Sequence, residues 1–403
     1  MTLTVHRGTH QIGGCVTELR TGTTRIFLDL GSTLPGPDGA VPEETMSLPG
    51  VTASGAPCQG VFFTHTHGDH MGQIGRVLPE VPLFLGEAAR EVALALYRRL
   101  ARHSGTDSAP VLASLERART FRPGVPLTVG DIRITPLLVD HSAFDAYMFL
   151  IEADGVRLLH TGDFRDHGPR GKAMLPMLER YVGQVDWLIC EGTTLSRRPG
   201  PVMTEWELGR KARALMEEHR HVFALCASTN IDRIATLAHS APRRRPVVCD
   251  RYQKEVLDCV ERHSGGKSGF YRFDRVIPWS ERNQKLKGWM EDQGFLLFVR
   301  ANNHFKTWME PWREDAVVLY SMWEGYLEGP CANPGLAEFL EGFPVVRLHT
   351  SGHAGWEALR TVCRTVTPQR GIIPIHGEAP EAFRDLVPEA KVLCLEDGET
   401  LPL

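Results

Sequence analysis

No run of about 18 apolar residues, the length a membrane helix needs, occurs in this 403-residue chain. The opening MTLTVHRGTH has no apolar core behind a basic start, so neither a spanning segment nor a signal peptide is expected. The nine cysteines are odd in number and scattered, with no C-x-x-C pair, which excludes a disulfide framework and a zinc ribbon and fits free thiols in a reducing cytoplasm. An excess of one charge is missing as well. Lys plus Arg number 45 against 49 Asp plus Glu, a net −4 that gives no general attraction to a polyanion. Low-complexity tracts and repeats are absent, and 42% hydrophobic with 23% charged residues is ordinary globular composition.

What is present is enough chain for two or three domains. In the first 195 residues, TRIFLDLG (24–31), GVFFTHTH (60–67), VRLLHTGDF (156–164) and VDWLICEG (185–192) run apolar into a polar tip, as buried strands do when they deliver side chains to one sheet edge. GEAAREVALALYRRLARHSG (86–105) has helical spacing with Gly105 as its C-cap, whereas 106–125 has no clear period. From about 196 helices alternate with short strands. Thr204 and Glu207 form a capping box, and HVFALCAS (221–228), a helix from Asn230, RPVVCD (245–250), a helix from Arg251, LLFVR (296–300) and AVVLYS (316–321) predict a parallel α/β unit. RLHTSGHA (347–354), a helix over 355–366 and GIIPIHGE (371–378) close the chain. Charge is uneven: residues 196–290 carry 19 basic against 11 acidic residues, and 291–345 carry 3 against 9. Tyr252, Phe270, Tyr271, Phe273, Trp279 and Trp289 lie in or beside the basic block, a composition that suits either a stacking, phosphate-tracking surface or a solvated face over core aromatics.

The densest chemical signal is THTHGDH at 64–70. His65 and His67 alternate at a strand tip and point one way, Asp69 and His70 follow in the turn, and Gly68 allows that turn, so four ligand-type groups converge. Imidazole with carboxylate suits zinc, with manganese or iron as weaker fits. Further candidates stand at strand ends: His141, Asp163 and His376. A carboxylate so placed can bridge two ions.

The order Asp29, H-x-H-x-D-H at 65–70, His141 and Asp163 resembles the metallo-β-lactamase fold, a four-layer αββα arrangement with a dinuclear site at one edge. The resemblance implies that His65, His67 and His141 bind one zinc ion, that Asp69, His70 and His376 bind the other, and that Asp163 bridges them, with Mn²⁺ as an alternative metal. Asp29 would support the ligand loop from behind. Glu191 in ICEGTT, a long insertion, His353 in SGHA and His376 in IPIHGE further resemble the β-CASP nucleases, in which a parallel α/β domain interrupts the lactamase fold. Expected domains are therefore 1–195 and 346–403 for the lactamase part and 196–345 for the β-CASP insertion.

The resemblance implies a metal-dependent ribonuclease, because the residue at the last motif is His376 and because HTSGHA and IPIHGE are similar to the RNase J members of that family. A zinc-activated hydroxide would attack phosphorus and leave 5′-phosphate and 3′-hydroxyl ends, by endonucleolytic or 5′-exonucleolytic cleavage. Catalysis would fall to Asp69, Asp163, Glu191 and His353, with His353 as general acid held cationic by Glu191. Single-stranded RNA would run in the cleft between the domains, and Ser228, Asn230, Arg233 and His349 are its candidate phosphate contacts, helix capping being the competing reading. Three features depart from RNase J: Asp232 stands where a histidine is usual, RANNHFKTW (300–308) replaces a GSQGE-like segment, and no C-terminal domain follows before Leu403. The last bears on the family's usual dimerisation. A DNA nuclease and a small-ester or lactone hydrolase are the alternative activities.

Overall fold

The computed structural model describes residues 1–35, 46–103, 107–266, 268–329 and 331–403. The chain forms two compact units, one running through Pro201 and resuming at Gly352, the other covering Val202–Ser351. These crossings lie six residues downstream of the limits set above at 195 and 345.

The first unit contains two sheets. One has the spatial order Thr400–Pro402, Thr2–Arg7, Val16–Arg20, Arg25–Leu28, Gly60–Phe62, Leu83–Gly86, Arg119–Phe121. The other runs Gly371–Ile375, Trp187–Glu191, Val156–His160, Ala146–Ala153, Ile132–Val139, Leu127–Val129. Side chains alternate across a strand, and here both faces are used. Leu28, Phe62, Ile134, Phe149 and Ile189 meet in the inner core between the sheets. On the outer face of the first sheet, Phe27, Val61 and Leu85 pack on Ala89 and Ala93 of the helix Glu87–His103 and on Leu115 of Ala109–Arg117. On the outer face of the second, Met148, Leu150 and Leu188 pack on Leu359, Val362 and Val366 of Trp356–Val366. Helix, sheet, sheet, helix is the four-layer αββα order expected from the motifs. The Gly105 cap lies outside the described residues.

Strand direction places the candidate site. Val156–His160, Trp187–Glu191 and Gly371–Ile375 are mutually parallel, so Thr161–Arg165, Glu191–Thr193 and His376 leave the same sheet edge. Ile132–Val139 runs the same way, being two antiparallel steps from Val156–His160, and so brings His141 to that edge.

The second unit is a six-stranded, wholly parallel sheet in the order Val276–Pro278, Val247–Cys249, Phe295–Val299, His221–Leu225, Ala316–Tyr320, Val345–Arg347. Its helices begin where predicted. Thr204 and Glu207 make the reciprocal capping box of Glu205–Glu218, and Asn230 and Asp250 cap Ile231–Ser240 and Arg251–Ser264.

Candidate metal centre

The strand Gly60–Phe62 ends three residues before His65, and Gly68–Met71 is a short helix, so Asp69 and His70 sit on a helical turn instead of a plain one. The turn is possible because the chain packs backbone to backbone. A Cβ on Gly31 would lie 1.7 Å from the Asp69 carbonyl oxygen, so only glycine fits there.

Seven candidate ligands converge. His67 Nδ1 lies 3.0 Å from His65 Nε2 and 3.1 Å from His141 Nε2. Two ligand nitrogens at about 2.0–2.1 Å from a tetrahedral zinc are separated by roughly 3.3 Å, so this spacing fits a shared ion. In the second group, His376 Nε2 is 3.2 Å from Asp69 Oδ2, and His70 Nε2 is 4.0 Å from that oxygen and 3.1 Å from Asp163 Oδ2. Asp163 Oδ2 is common to both groups, at 3.7 Å from His376, 3.8 Å from His65 and 3.9 Å from His141.

Buried polar atoms test whether a cation fits. His70 Nε2 and both carboxylate oxygens of Asp163 are buried without a hydrogen-bond partner, even though His70 and Asp163 approach to 3.1 Å. Leaving a buried carboxylate unsatisfied costs several kcal/mol at least, and a bound cation removes that cost. The histidine tautomers point the same way. His141 Nδ1 donates to the Gly352 carbonyl at 2.6 Å, His70 Nδ1 to Asp29 at 2.7 Å and His376 Nδ1 to Thr193 Oγ at 2.7 Å, so each turns Nε2 toward the centre. Gly352 can back His141 because a Cβ there would meet Ser142 at 2.4 Å.

Electrostatics separates the two groups. Burial and the neighbouring imidazoles hold His65 and His141 well below the usual histidine range, and burial brings His67 down to about 4. Neutral imidazole is the ligating form. Against burial, Asp163, Asp29 and Asp69 push His70 well above its usual range, and against burial its histidine neighbours hold Asp163 well below the carboxylate range. The second group thus has the excess negative field that attracts a cation.

Asp29 does not reach the centre. With φ +61 it accepts from the Thr64 amide at 2.7 Å, the Thr64 hydroxyl at 2.8 Å and His70 Nδ1, which fixes the loop and the His70 ring. Glu191 and His353 form a pair beside the ligands: His353 Nδ1 is 3.0 Å from Glu191 Oε2 and 3.7 Å from Asp163 Oδ2. Burial lowers the His353 pKa, but Glu191 and Asp163 outweigh it and raise it to about 9.

Two features lie outside the residues singled out in the sequence. Thr193 Oγ donates to Glu191 Oε2 at 2.7 Å while accepting from His376, so one hydroxyl ties a candidate ligand to the Glu191–His353 pair. The buried pair Arg165–Asp140, 2.6 Å apart, locks the loop after His141's strand to the loop bearing Asp163. EGTT could have suggested Thr193 through its spacing from Glu191, whereas the Arg165 pairing arises only on folding.

Of the phosphate candidates in the second unit, Arg233 needs correction. Arg233 is fully buried, and its guanidinium is committed to Glu205 at 2.8 Å, Ser321 Oγ at 2.6 Å and the Thr350 carbonyl at 3.0 Å. It has no donor to spare for a phosphate. Asn230 accepts from the Arg233 amide as a helix cap, and His349 Nδ1 lies 3.3 Å from Arg233 Nη1. Ser228 is half-buried, with its hydroxyl 3.3 Å from the Tyr252 hydroxyl. Asp232 accepts a hydrogen bond from Tyr271 at 2.7 Å. Of the block's aromatics, Tyr252, Tyr271 and Phe273 are core residues, and Trp289 is exposed.

With this geometry in place, similarity to known proteins is informative. Residues 32–224 match the Beta-lactamase superfamily domain, and residues 344–392 match the Zn-dependent metallo-hydrolase RNA specificity domain. Two separate stretches of the chain are thus similar to a metallo-β-lactamase domain and to an RNA-specificity domain. The two matches are consistent with a β-CASP, RNase J-like protein, and the chain is similar to Ribonuclease J over most of its length. It is 24% identical to Ribonuclease J of Mycoplasma pneumoniae over 88% of this chain and 63% of the relative. To Ribonuclease J of Helicobacter pylori strain B128 it is 23% identical over 97% of this chain and 59% of the relative. The chain thus spans about 60% of the length of these curated relatives. A solved Enterococcus faecalis V583 protein of unknown function has the same fold, with TM-score 0.74 and 24% identity over 100% of this chain and 99% of that one. No helix among the described residues is long and apolar enough to cross a membrane.

Proposed function

We propose that this chain is a metal-dependent ribonuclease that hydrolyses phosphodiester bonds of single-stranded RNA and leaves 5′-phosphate and 3′-hydroxyl ends. The ligand set favours two zinc ions, with Mn²⁺ as the alternative. His65, His67 and His141 would hold one ion, Asp69, His70 and His376 the other, and Asp163 both. When bound, the ions supply Lewis acidity, drawing charge from the non-bridging phosphate oxygens and acidifying water.

The chain's own residues account for the rest. Hydrolysis forms a bond from water oxygen to phosphorus and breaks the bond from phosphorus to the 3′ oxygen, which must gain a proton. His353 is the donor: its Nδ1 is held by Glu191 and its pKa is raised to about 9, so Nε2 carries a proton at neutral pH. Thr193 keeps the Glu191 carboxylate oriented through its 2.7 Å hydrogen bond. Asp29 and the Gly352 carbonyl fix the His70 and His141 rings, so the ligands need little rearrangement.

The observation that carries this reading is the span of the RNA-specificity match. Residues 344–392 include both His353 and His376, the candidate proton donor and a candidate ligand. The similarity to proteins named Ribonuclease J supports RNA as substrate. The test is incubation with matched RNA and DNA oligonucleotides, the RNA supplied with 5′-phosphate, 5′-hydroxyl or circular topology. The reading predicts RNA cleavage that Asp69→Ala abolishes. Cleavage of DNA alone, or of a chromogenic ester without need of Glu191 and His353, would replace it.

A further inference from the structure

From the structure of the second unit we infer a separate docking surface for single-stranded RNA around Trp289, an inference that rests on the ribonuclease reading. Trp289 is 40% exposed, and its indole N–H donates to the Arg244 carbonyl at 2.9 Å, so the ring is fixed at one edge while part of its surface faces solvent. Two cavities share it as a wall. One of about 680 Å³ is lined by Arg243, Arg244, Gln284, Lys285 and Asp292, and one of about 500 Å³ by Arg243, Arg245, Asp274, Arg275 and Ile277.

The cations divide into two kinds. Arg245 is buried and donates to the Met216 and His219 carbonyls at the end of the helix Glu205–Glu218, and Arg275 donates to the Ala241 and Pro242 carbonyls past Ile231–Ser240. These two hold the loop in shape. Arg243, Arg244 and Lys285 are exposed and form no ion pair among the described residues. A fixed indole on an open surface flanked by unpaired cations is the combination that binds a base by stacking and its neighbouring phosphates by charge. A duplex hides its base faces, so the match is to a single strand.

The surface is distinct from the candidate metal centre. Arg243–Arg245 and Asp274–Arg275 directly precede strands Val247–Cys249 and Val276–Pro278, and the helix Gln284–Gln293 ends just before Phe295–Val299, so these loops and the end of that helix lie at the N-terminal edge of the parallel sheet. Ser228 and Asn230 follow the C-terminal end of His221–Leu225, about 17 Å away along a five-residue strand. None of the seven candidate ligands, nor Glu191 or His353, belongs to this unit. The exposed cations around Trp289 therefore serve as an anchor for RNA outside the cleavage site.

The experiment measures binding of fluorescent RNAs of about 6 and about 30 nucleotides to the full chain carrying Asp163→Asn, over a salt series. Arg243→Ala with Arg244→Ala and Trp289→Ala is expected to weaken binding of the longer strand roughly tenfold or more and to reduce its salt slope by about 1.4. Arg243→Glu with Arg244→Glu, which keeps the indole, controls for loss of folding and should weaken binding similarly. In the otherwise wild-type chain these changes should leave cleavage of the short RNA intact. Unchanged affinity and salt slope, or equally tight binding of duplex RNA, overturns the surface. If the wild-type chain cleaves no RNA at all, the ribonuclease reading fails, while the binding comparison still decides the surface on its own.

Discussion

THTHGDH at 64–70 and CASTNIDR at 226–233 are both polar strings that follow a buried strand of a sheet, and the structure treats them oppositely. In the first, His70 Nε2 and both oxygens of its neighbour Asp163 are buried and find no hydrogen-bond partner. In the second, Asn230 caps a helix, Asp232 accepts from Tyr271, and Arg233 spends its donors on Glu205, Ser321 and Thr350. Polar residues at a strand end are therefore no evidence of a site by themselves. The discriminating feature is whether folding satisfies them from within, because buried polar atoms that it leaves unpaired need an outside partner.

The sharpest way to break this comparison is to remove the oxygen shared by both ligand groups. Asp163→Ala is expected to lower RNA cleavage by about a thousandfold or more and to reduce bound metal, read by cleavage assay and elemental analysis. Retained activity would mean that the unpaired oxygens have no role. Arg233→Ala asks the converse question of the other string. It removes the buried guanidinium that faces the Glu205 carboxylate, so the stability loss should be about 3–5 kcal/mol in denaturant titration. A weakened RNA affinity with unchanged stability would return Arg233 to the phosphate contacts.

Glu191→Gln sharpens the account of the proton donor. His353, at about 9, stays protonated through neutral pH and loses its proton as pH rises through that value, so proton donation is present below it and lost above. Removing the Glu191 charge lowers that pKa, and the alkaline fall in cleavage rate should move to lower pH. An unmoved profile would assign that limb to another group. The smallest effect is expected at Asn230→Ala, about 1 kcal/mol of stability for a lost helix cap, with RNA affinity unchanged.

Much of this was legible in the sequence where local chemistry dictates the outcome. The capping residues Thr204, Asn230 and Asp250 start the helices where read, and the H-x-H-x-D-H string with His141, Asp163 and His376 comes together as expected. Strands were overdrawn at their polar tips: 24–31 shrinks to Arg25–Leu28 and 60–67 to Gly60–Phe62, because ligand loops leave the ladder before the polar residues begin. The helix Ala109–Arg117 was missed in the stretch without clear period, since it is short and only Ser114 and Leu115 are buried. Arg233 was misread because its partners lie 28, 88 and 117 residues away, and no local pattern announces such a pairing. For the same reason whole-chain charge misled. The net −4 conceals exposed Arg243, Arg244 and Lys285 around one indole, an arrangement that only folding creates.

The central claim is that unpaired donors at one sheet edge hold two metal ions. Elemental analysis of the purified full chain, grown in zinc-sufficient medium, tests it most directly. Two ions per chain are expected in the wild type and a loss of bound metal in Asp163→Ala; a folded wild-type protein that carries no metal would rule out a metal centre at this sheet edge.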